Sequence, residues 1–186
     1  MISALVIIFI ILSLLCLLEI SNKNVIVSVY FFTAIVFFLI AAFRGENIDR
    51  DYGSYIKAFN EDNILTNIYE PSFLFFSYFI KTFLGENVGY LFIFYAIIGV
   101  LVKFYSIIKL TNFPLFSSIL YLSYFFTLQE MTQIRVGASL SFFLLSIPSL
   151  YSRNFKLFFL YIFISFCFHF STFILFFFTL TWYQTN

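Results

Sequence analysis

The chain has 186 residues, of which 62% are hydrophobic, 25% aromatic and only 10% charged, with a mean hydropathy of +1.01. Soluble chains carry about 25% charged residues, so a soluble globular domain is excluded. The net charge of +1 is not gathered into a basic patch, and no nucleic-acid partner is expected.

The first apolar run, 2–20, has no Lys or Arg before it and no small-residue cleavage site around Cys16, so it reads as a retained transmembrane helix rather than a secretory signal. A spanning helix needs about 20 mostly apolar residues. Further runs over 25–43, 88–108, 113–128, 136–150 and 157–181 meet or approach that length, with Arg135 able to extend one of the two short ones, 113–128 and 136–150. The pattern predicts an all-α, polytopic integral membrane bundle with about six transmembrane helices, forming one membrane domain over 1–186. Cys16 and Cys167 lie inside apolar runs with neither metal-ligand nor disulfide spacing, and are expected to be fillers.

The run 71–84 is too short for that set. It spans 14 residues, opens at Glu70-Pro71 and closes at Gly85-Glu86-Asn87. Runs of roughly 10–14 residues are more often re-entrant or interfacial than spanning. Sidedness gives an independent argument, because cytoplasmic joints collect Lys and Arg. Lys23, Lys103, Lys109, Arg153 and Lys156 fall on one side only if 71–84 does not cross. The N-terminus and the stretch 44–70 then lie outside, and 44–70 is an extracytoplasmic polar loop.

That loop holds six of the nine acidic residues and three of the ten basic ones. A membrane protein that gathers its ionisable groups between two apolar segments is expected to bind or react there. Within it Tyr52, Tyr55, Ile56 and Phe59 recur at helical spacing, predicting a short interfacial amphipathic helix with Lys57 and Asn60 in water. Gly45 and Gly53 mark turns. Pro71 suits the first turn of a helix, with Glu70 at its positive end.

Several residues could carry chemistry, each beside a plainer role. Arg44 reads as a snorkelling anchor at a helix end, a reading weakened by the acid-rich side on which it sits, since anchors prefer the cytoplasmic side. Asp51 and Glu70 could serve as general base and acid, or be a solvated loop charge and a helix cap. Arg135 either forms an ion pair with Glu130 or an acid of the long loop, or clamps a phosphate-bearing substrate through its planar fork. Gly137, Ala138, Ser139 and Ser141 behind it offer a surface that another helix can approach closely. His169, the one histidine, lies 12 residues into its run and so about 18 Å along a helix axis, near the bilayer midplane. Ser165 and Thr172 could fix its tautomer, and an ionisable group at that depth is a functional candidate. No metal-binding or phosphate-loop motif is present in the sequence.

Phe43-Arg44-Gly45, Asp51-Tyr52-x-x-Tyr55, Glu70-Pro71-x-Phe73, Gln133-Ile134-Arg135 and Phe168-His169-x-Ser171 occur in that order among apolar runs. This series resembles the EpsG family of Wzy-like exopolysaccharide and O-antigen repeat-unit polymerases, over about 41–175. The resemblance implies a multi-pass glycosyltransferase of the bacterial inner membrane that joins oligosaccharide units carried on undecaprenyl diphosphate at the periplasmic face. No nucleotide sugar, metal or other cofactor is implied; the implied partners are membrane lipid, the lipid-linked oligosaccharide and other polysaccharide-assembly proteins. By the same resemblance Arg44 and Arg135 would hold the diphosphate, with Tyr52, Tyr55 and Gln133 as further substrate contacts. Glu70 or Asp51 would activate the acceptor hydroxyl, with His169 as an alternative base or substrate contact. Family members are much longer, so the chain reads as the N-terminal half, truncated relative to the family. Val136 stands where a polar residue is expected. A lipid-linked oligosaccharide flippase, or an inactive truncated membrane protein, are the competing expectations.

Overall fold

The computed structural model describes residues 2–18, 22–45, 48–60 and 69–185, which are helical with no strand among them. Helix α1 (Ile2–Leu17) is apolar on every side, as a helix in lipid can be. Asn22 opens α2 (Lys23–Ala42), its Oδ1 accepting the Asn24 N–H at 3.0 Å. Next come α3 (Tyr52–Asn60) and α4 (Pro71–Phe83). A continuous rod over Gly89–Leu110 then comprises α5 (Gly89–Ala96), a π-helical segment Ile97–Val102 and α6 (Lys103–Leu110). Helix α7 (Pro114–Leu120) passes into a second π-helical segment, Tyr121–Thr132, and is followed by α8 (Ile134–Tyr151), α9 (Phe155–Phe168) and α10 (Phe173–Thr185).

Three of these rods, Lys23–Ala42, Gly89–Leu110 and Ile134–Tyr151, are long and apolar enough to cross a membrane, and Ser3–Leu17 and Phe155–Phe168 are shorter apolar helices. Large side chains such as Phe31, Phe32 and Phe163 stay exposed on the outside of the bundle, where a soluble protein would hide them. The chain is a polytopic helical membrane protein.

Two apolar cores hold the helices. One joins α1, α2, the Gly89–Leu110 rod and the 114–132 segment through Phe37, Phe104, Tyr121 and Phe126. Its direction is read from Tyr30, whose hydroxyl donates to the Phe104 carbonyl at 2.6 Å, while Arg44 at the other end of α2 lies over Phe92. The rod therefore runs antiparallel to α2. The second core gathers Tyr52, Tyr55, Phe59, Phe73, Phe92, Tyr95, Ile134 and Phe168, from α3, α4, α5, α8 and α9. It sits at the Arg44 end and carries the polar site.

Helix α4 stays at that end. Ser72 in its first turn meets the Tyr95 hydroxyl at 3.2 Å, and Lys81 in its last turn lies 5.3 Å from the Phe59 ring of α3. Both ends thus touch elements of the same end of the bundle, which agrees with a segment that does not cross. Gly85, at φ 96°, closes the helix by donating its N–H to the Ile80 carbonyl, a conformation that costs glycine little. Helix α3 forms as its spacing predicts, with Tyr52, Tyr55, Ala58 and Phe59 buried and Lys57 and Asn60 exposed.

The small residues of α8 do receive neighbours. Ser139 Oγ donates to the Ser165 carbonyl at 2.7 Å, and Ser165 Oγ returns the bond to the Ser139 carbonyl at 2.8 Å. Ser141 Oγ donates to the Gly99 carbonyl at 2.7 Å. Backbones this close require residues no larger than serine at the crossing.

Four expectations are corrected. The run 157–181 is not one helix: α9 stops at Phe168, residues 170–172 form a 3₁₀ turn, and α10 folds back along α9, with Phe173 on Phe166 and Phe176 on Phe158 and Phe159. His169 is therefore not at mid-depth but at the turn, on the Arg44 end. Lys103 is not a joint lysine; it is buried inside the Gly89–Leu110 rod. Gly53 does not turn the chain but lies in the first turn of α3. Glu61 and Asp62, also part of the expected polar loop, lie outside the described residues.

Candidate functional site

Glu70 is the hinge of the site. It occupies the residue before α4, yet its carboxylate makes no cap hydrogen bond to that helix. Arg135 Nη1 instead donates to Glu70 Oε2, and His169 Nδ1 lies 2.7 Å from Oε1. The three groups come from the start of α4, the start of α8 and the end of α9. Of the roles open to Glu70, a helix cap is the one the geometry rejects. Of those open to Arg135, an ion pair with a loop acid is present, and the acid is Glu70 rather than Glu130.

Exposure differs within the trio. The Glu70 side chain is 7% exposed, whereas those of Arg135 and His169 are each 28% exposed. The carboxylate is thus an inner post and the cation and imidazole are what a ligand meets. An ionised carboxylate only accepts, so His169 Nδ1 donates to it, and in the neutral imidazole Nε2 carries the lone pair. Ser165 and Thr172, which the sequence offers as able to fix this tautomer, do not do so. Ser165 is spent on Ser139, and Thr172 Oγ1 donates to the His169 carbonyl at 2.6 Å. Thr172 thereby steadies the extended backbone (φ −158°, ψ 120°) that carries the imidazole off the end of α9. Arg135 also sits above two rings, with its guanidinium carbon 5.8 Å from Tyr55 and 5.7 Å from Phe73.

The remaining candidates divide between this surface and the interior. Asp51 and Tyr55 line a cavity of about 300 Å³ together with Ser54, Tyr69, Phe73 and Arg135. Burial pushes the Tyr55 phenol pKa above its ordinary value, and the nearby Arg135 charge acts against that rise. Tyr52 is stacked on Phe92 at 5.1 Å and is buried. Gln133 is exposed; its main chain ends the second π-helical segment, with its N–H on the Leu128 carbonyl at 2.9 Å.

Arg44 is at the same end but enclosed. Its side chain is 0% exposed, 3.9 Å above the Phe92 ring, with Nε 3.6 Å from Asp49 Oδ2. Nη1 donates to the Glu130 and Met131 carbonyls, which the end of a helix leaves without partners. Burial lowers its pKa, and Asp49 acts the other way. It fastens the loop after α2 to the segment that delivers Arg135.

A second charged group went unread in the sequence. Lys103 Nζ donates to Glu130 Oε1 at 2.5 Å and to Gln129 Oε1 at 2.8 Å, and lies 4.9 Å from the Tyr121 ring. Room for the carboxylate comes from two glycines. A Cβ on Gly137 would stand 2.7 Å from Glu130 Oε2, and one on Gly99 would run into the same carboxylate. The sequence held half of the signal: Lys103 interrupts the apolar run 88–108, and a charge there needs a partner, but Glu130 lies outside the runs and nothing local names it.

Among the described residues no cluster of three or more His, Cys, Asp or Glu could hold a metal ion. No curated protein and no solved structure matches the chain. The sequence profile of the EpsG family matches residues 27–184, most of the chain and all of the site described above. The family supports a membrane-embedded, polysaccharide-polymerase-like role in general terms. The chain belongs to the EpsG family.

Proposed function

We propose that the Arg135–Glu70–His169 cluster joins oligosaccharide repeat units carried on undecaprenyl diphosphate, at the outer face of the bacterial cytoplasmic membrane. The observation that carries this reading is the bridged Glu70, which holds a cation and an imidazole side by side with the imidazole's second nitrogen unspent. His169 Nε2 takes the proton of the acceptor hydroxyl, whose oxygen attacks the anomeric carbon of the donor unit. The bond from that carbon to the diphosphate breaks, and the lipid diphosphate leaves with the electron pair. Arg135 stands where that negative charge develops, fixed in advance by Glu70 and two aromatic rings, which is the arrangement that lowers a barrier electrostatically. Glu70 is a positioning residue here, since both of its oxygens are occupied.

Sidedness supports the outer face. Lys23, Lys109, Arg153 and Lys156 are exposed at the end remote from the site, with no acid beside them among the described residues. The site end carries Asp49, Asp51, Glu70 and Glu86 mixed with Arg50, Lys57 and Lys81, so only the remote end is purely basic. We read that acid-free end, whose joints are short, as the cytoplasmic one.

The test is Arg135→Ala in cells that make the glycan. Long-chain polymer should vanish while single lipid-linked repeat units still accumulate; polymer of unchanged length would reject the assignment.

A further inference from the structure

Arg135 has two sides. One binds Glu70 beside His169; the other walls the cavity of about 300 Å³, whose lining includes neither Glu70 nor His169. That volume lies at the low end of the range for small-molecule sites. Its chemistry is specific. Asp51 donates its N–H to Asp49 Oδ1 at 2.9 Å, which fixes the turn into α3, while its carboxylate has no hydrogen bond or ion pair among the described residues. Ser54 contributes a hydroxyl one helical turn on. The opposite wall is aromatic, with Tyr69 and Phe73 at 5.2 Å and Tyr55 and Phe73 at 6.4 Å between ring centroids.

These groups discriminate between the two halves of a lipid-linked sugar. A diphosphate in the cavity would face the Asp51 carboxylate. A neutral, hydroxyl-rich ring meets none of that repulsion. Its hydroxyls donate to Asp51 in charge-assisted hydrogen bonds, and its C–H face lies against the rings. We infer that this cavity is a sugar subsite separate from the diphosphate position, with Asp51 as the ligand of sugar hydroxyls and Tyr69 and Phe73 as the platform. The choice of sugar as ligand rests on the polymerase-like reading above.

The test uses the whole chain in lipid nanodiscs and two probes followed by saturation-transfer NMR. The first is a phosphate-free oligosaccharide released from the producing cell's own glycan, and the second is inorganic pyrophosphate. Asp51→Asn should weaken oligosaccharide binding at least about tenfold, the loss of a charge-assisted bond, and leave pyrophosphate binding unchanged. The two probes should bind together. The subsite is overturned if the unaltered chain does not bind the oligosaccharide, if Asp51→Asn and Phe73→Leu both leave its binding unchanged, or if pyrophosphate displaces it competitively. The two readings fail separately. Asp51-dependent oligosaccharide binding in a chain whose Arg135→Ala form still makes long glycan supports the subsite and rejects the polymerase. Loss of glycan in Arg135→Ala with no effect of Asp51→Asn on binding does the reverse.

Discussion

Lys103–Glu130 and Arg135–Glu70 are built from the same pair of charges, little more than a helical turn apart at Glu130 and Arg135, yet they are finished differently. In the first, both side chains are nearly inaccessible, at 3% and 2% exposure, and two glycines close around the carboxylate. In the second, the carboxylate is buried but the cation reaches the surface, with an imidazole beside it. A sealed pair has nothing left to offer a ligand, and its work is to tie the start of α6 to the second π-helical segment. π-Helical turns often mark functional sites, and here they bring Gln129, Glu130 and Lys103 inward just ahead of Arg135. The open cluster spends its carboxylate inside and presents what remains. Similar charges thus serve structure or binding according to which partner is left facing out.

The contrast breaks most easily at the sealed pair. Lys103→Met leaves Glu130 charged and unpaired, which should cost about 3–5 kcal/mol of stability. Lys103→Met combined with Glu130→Leu should recover most of that loss, as thermal unfolding in detergent would show; a double variant no better than the single would mean the pair is not what binds the segments. Next in size is Gly137→Ala. Its Cβ would press on Glu130 Oε2 and on the Gln129 carbonyl at 2.8 Å, a backbone atom that cannot swing aside. A loss of about 1–3 kcal/mol is expected from the same measurement.

The smallest perturbation sharpens the sidedness on which the open cluster depends. In a background with Cys16 and Cys167 changed to Ser, Lys57→Cys should react with an impermeant thiol reagent in intact cells, and Arg153→Cys only after the membrane is ruptured. Both positions are exposed, so stability should change by less than about 0.5 kcal/mol. Labelling in the opposite order would invert the orientation.

What could be read from the sequence was local. The Tyr52, Tyr55, Phe59 stripe declares α3 because one face of nine residues must be apolar. Pro71 and Gly85 punctuate α4, and the small residues after Arg135 announce a close crossing. The break at His169 has no such mark: neither Gly nor Pro is near, and the group that His169 meets there, Glu70, lies 99 positions away. The choice made by Glu70 is equally remote. As a residue before Pro71 it reads as a cap, and only an arginine 65 positions on diverts its carboxylate. Lys103 was misread for the same reason, since its partner lies 27 positions further along a different helix. Periodicity carries which face is buried, but not which buried charges meet.

The most direct measurement is glycan chain length in cells carrying His169→Gln, a change that keeps a hydrogen-bonding side chain but removes the basic nitrogen. With the variant present at normal levels in the membrane, lipid-linked single units and no long polymer are expected. Polymer of ordinary length from that variant would contradict the assignment of His169 as the base and, with it, the open cluster as the place where sugars are joined.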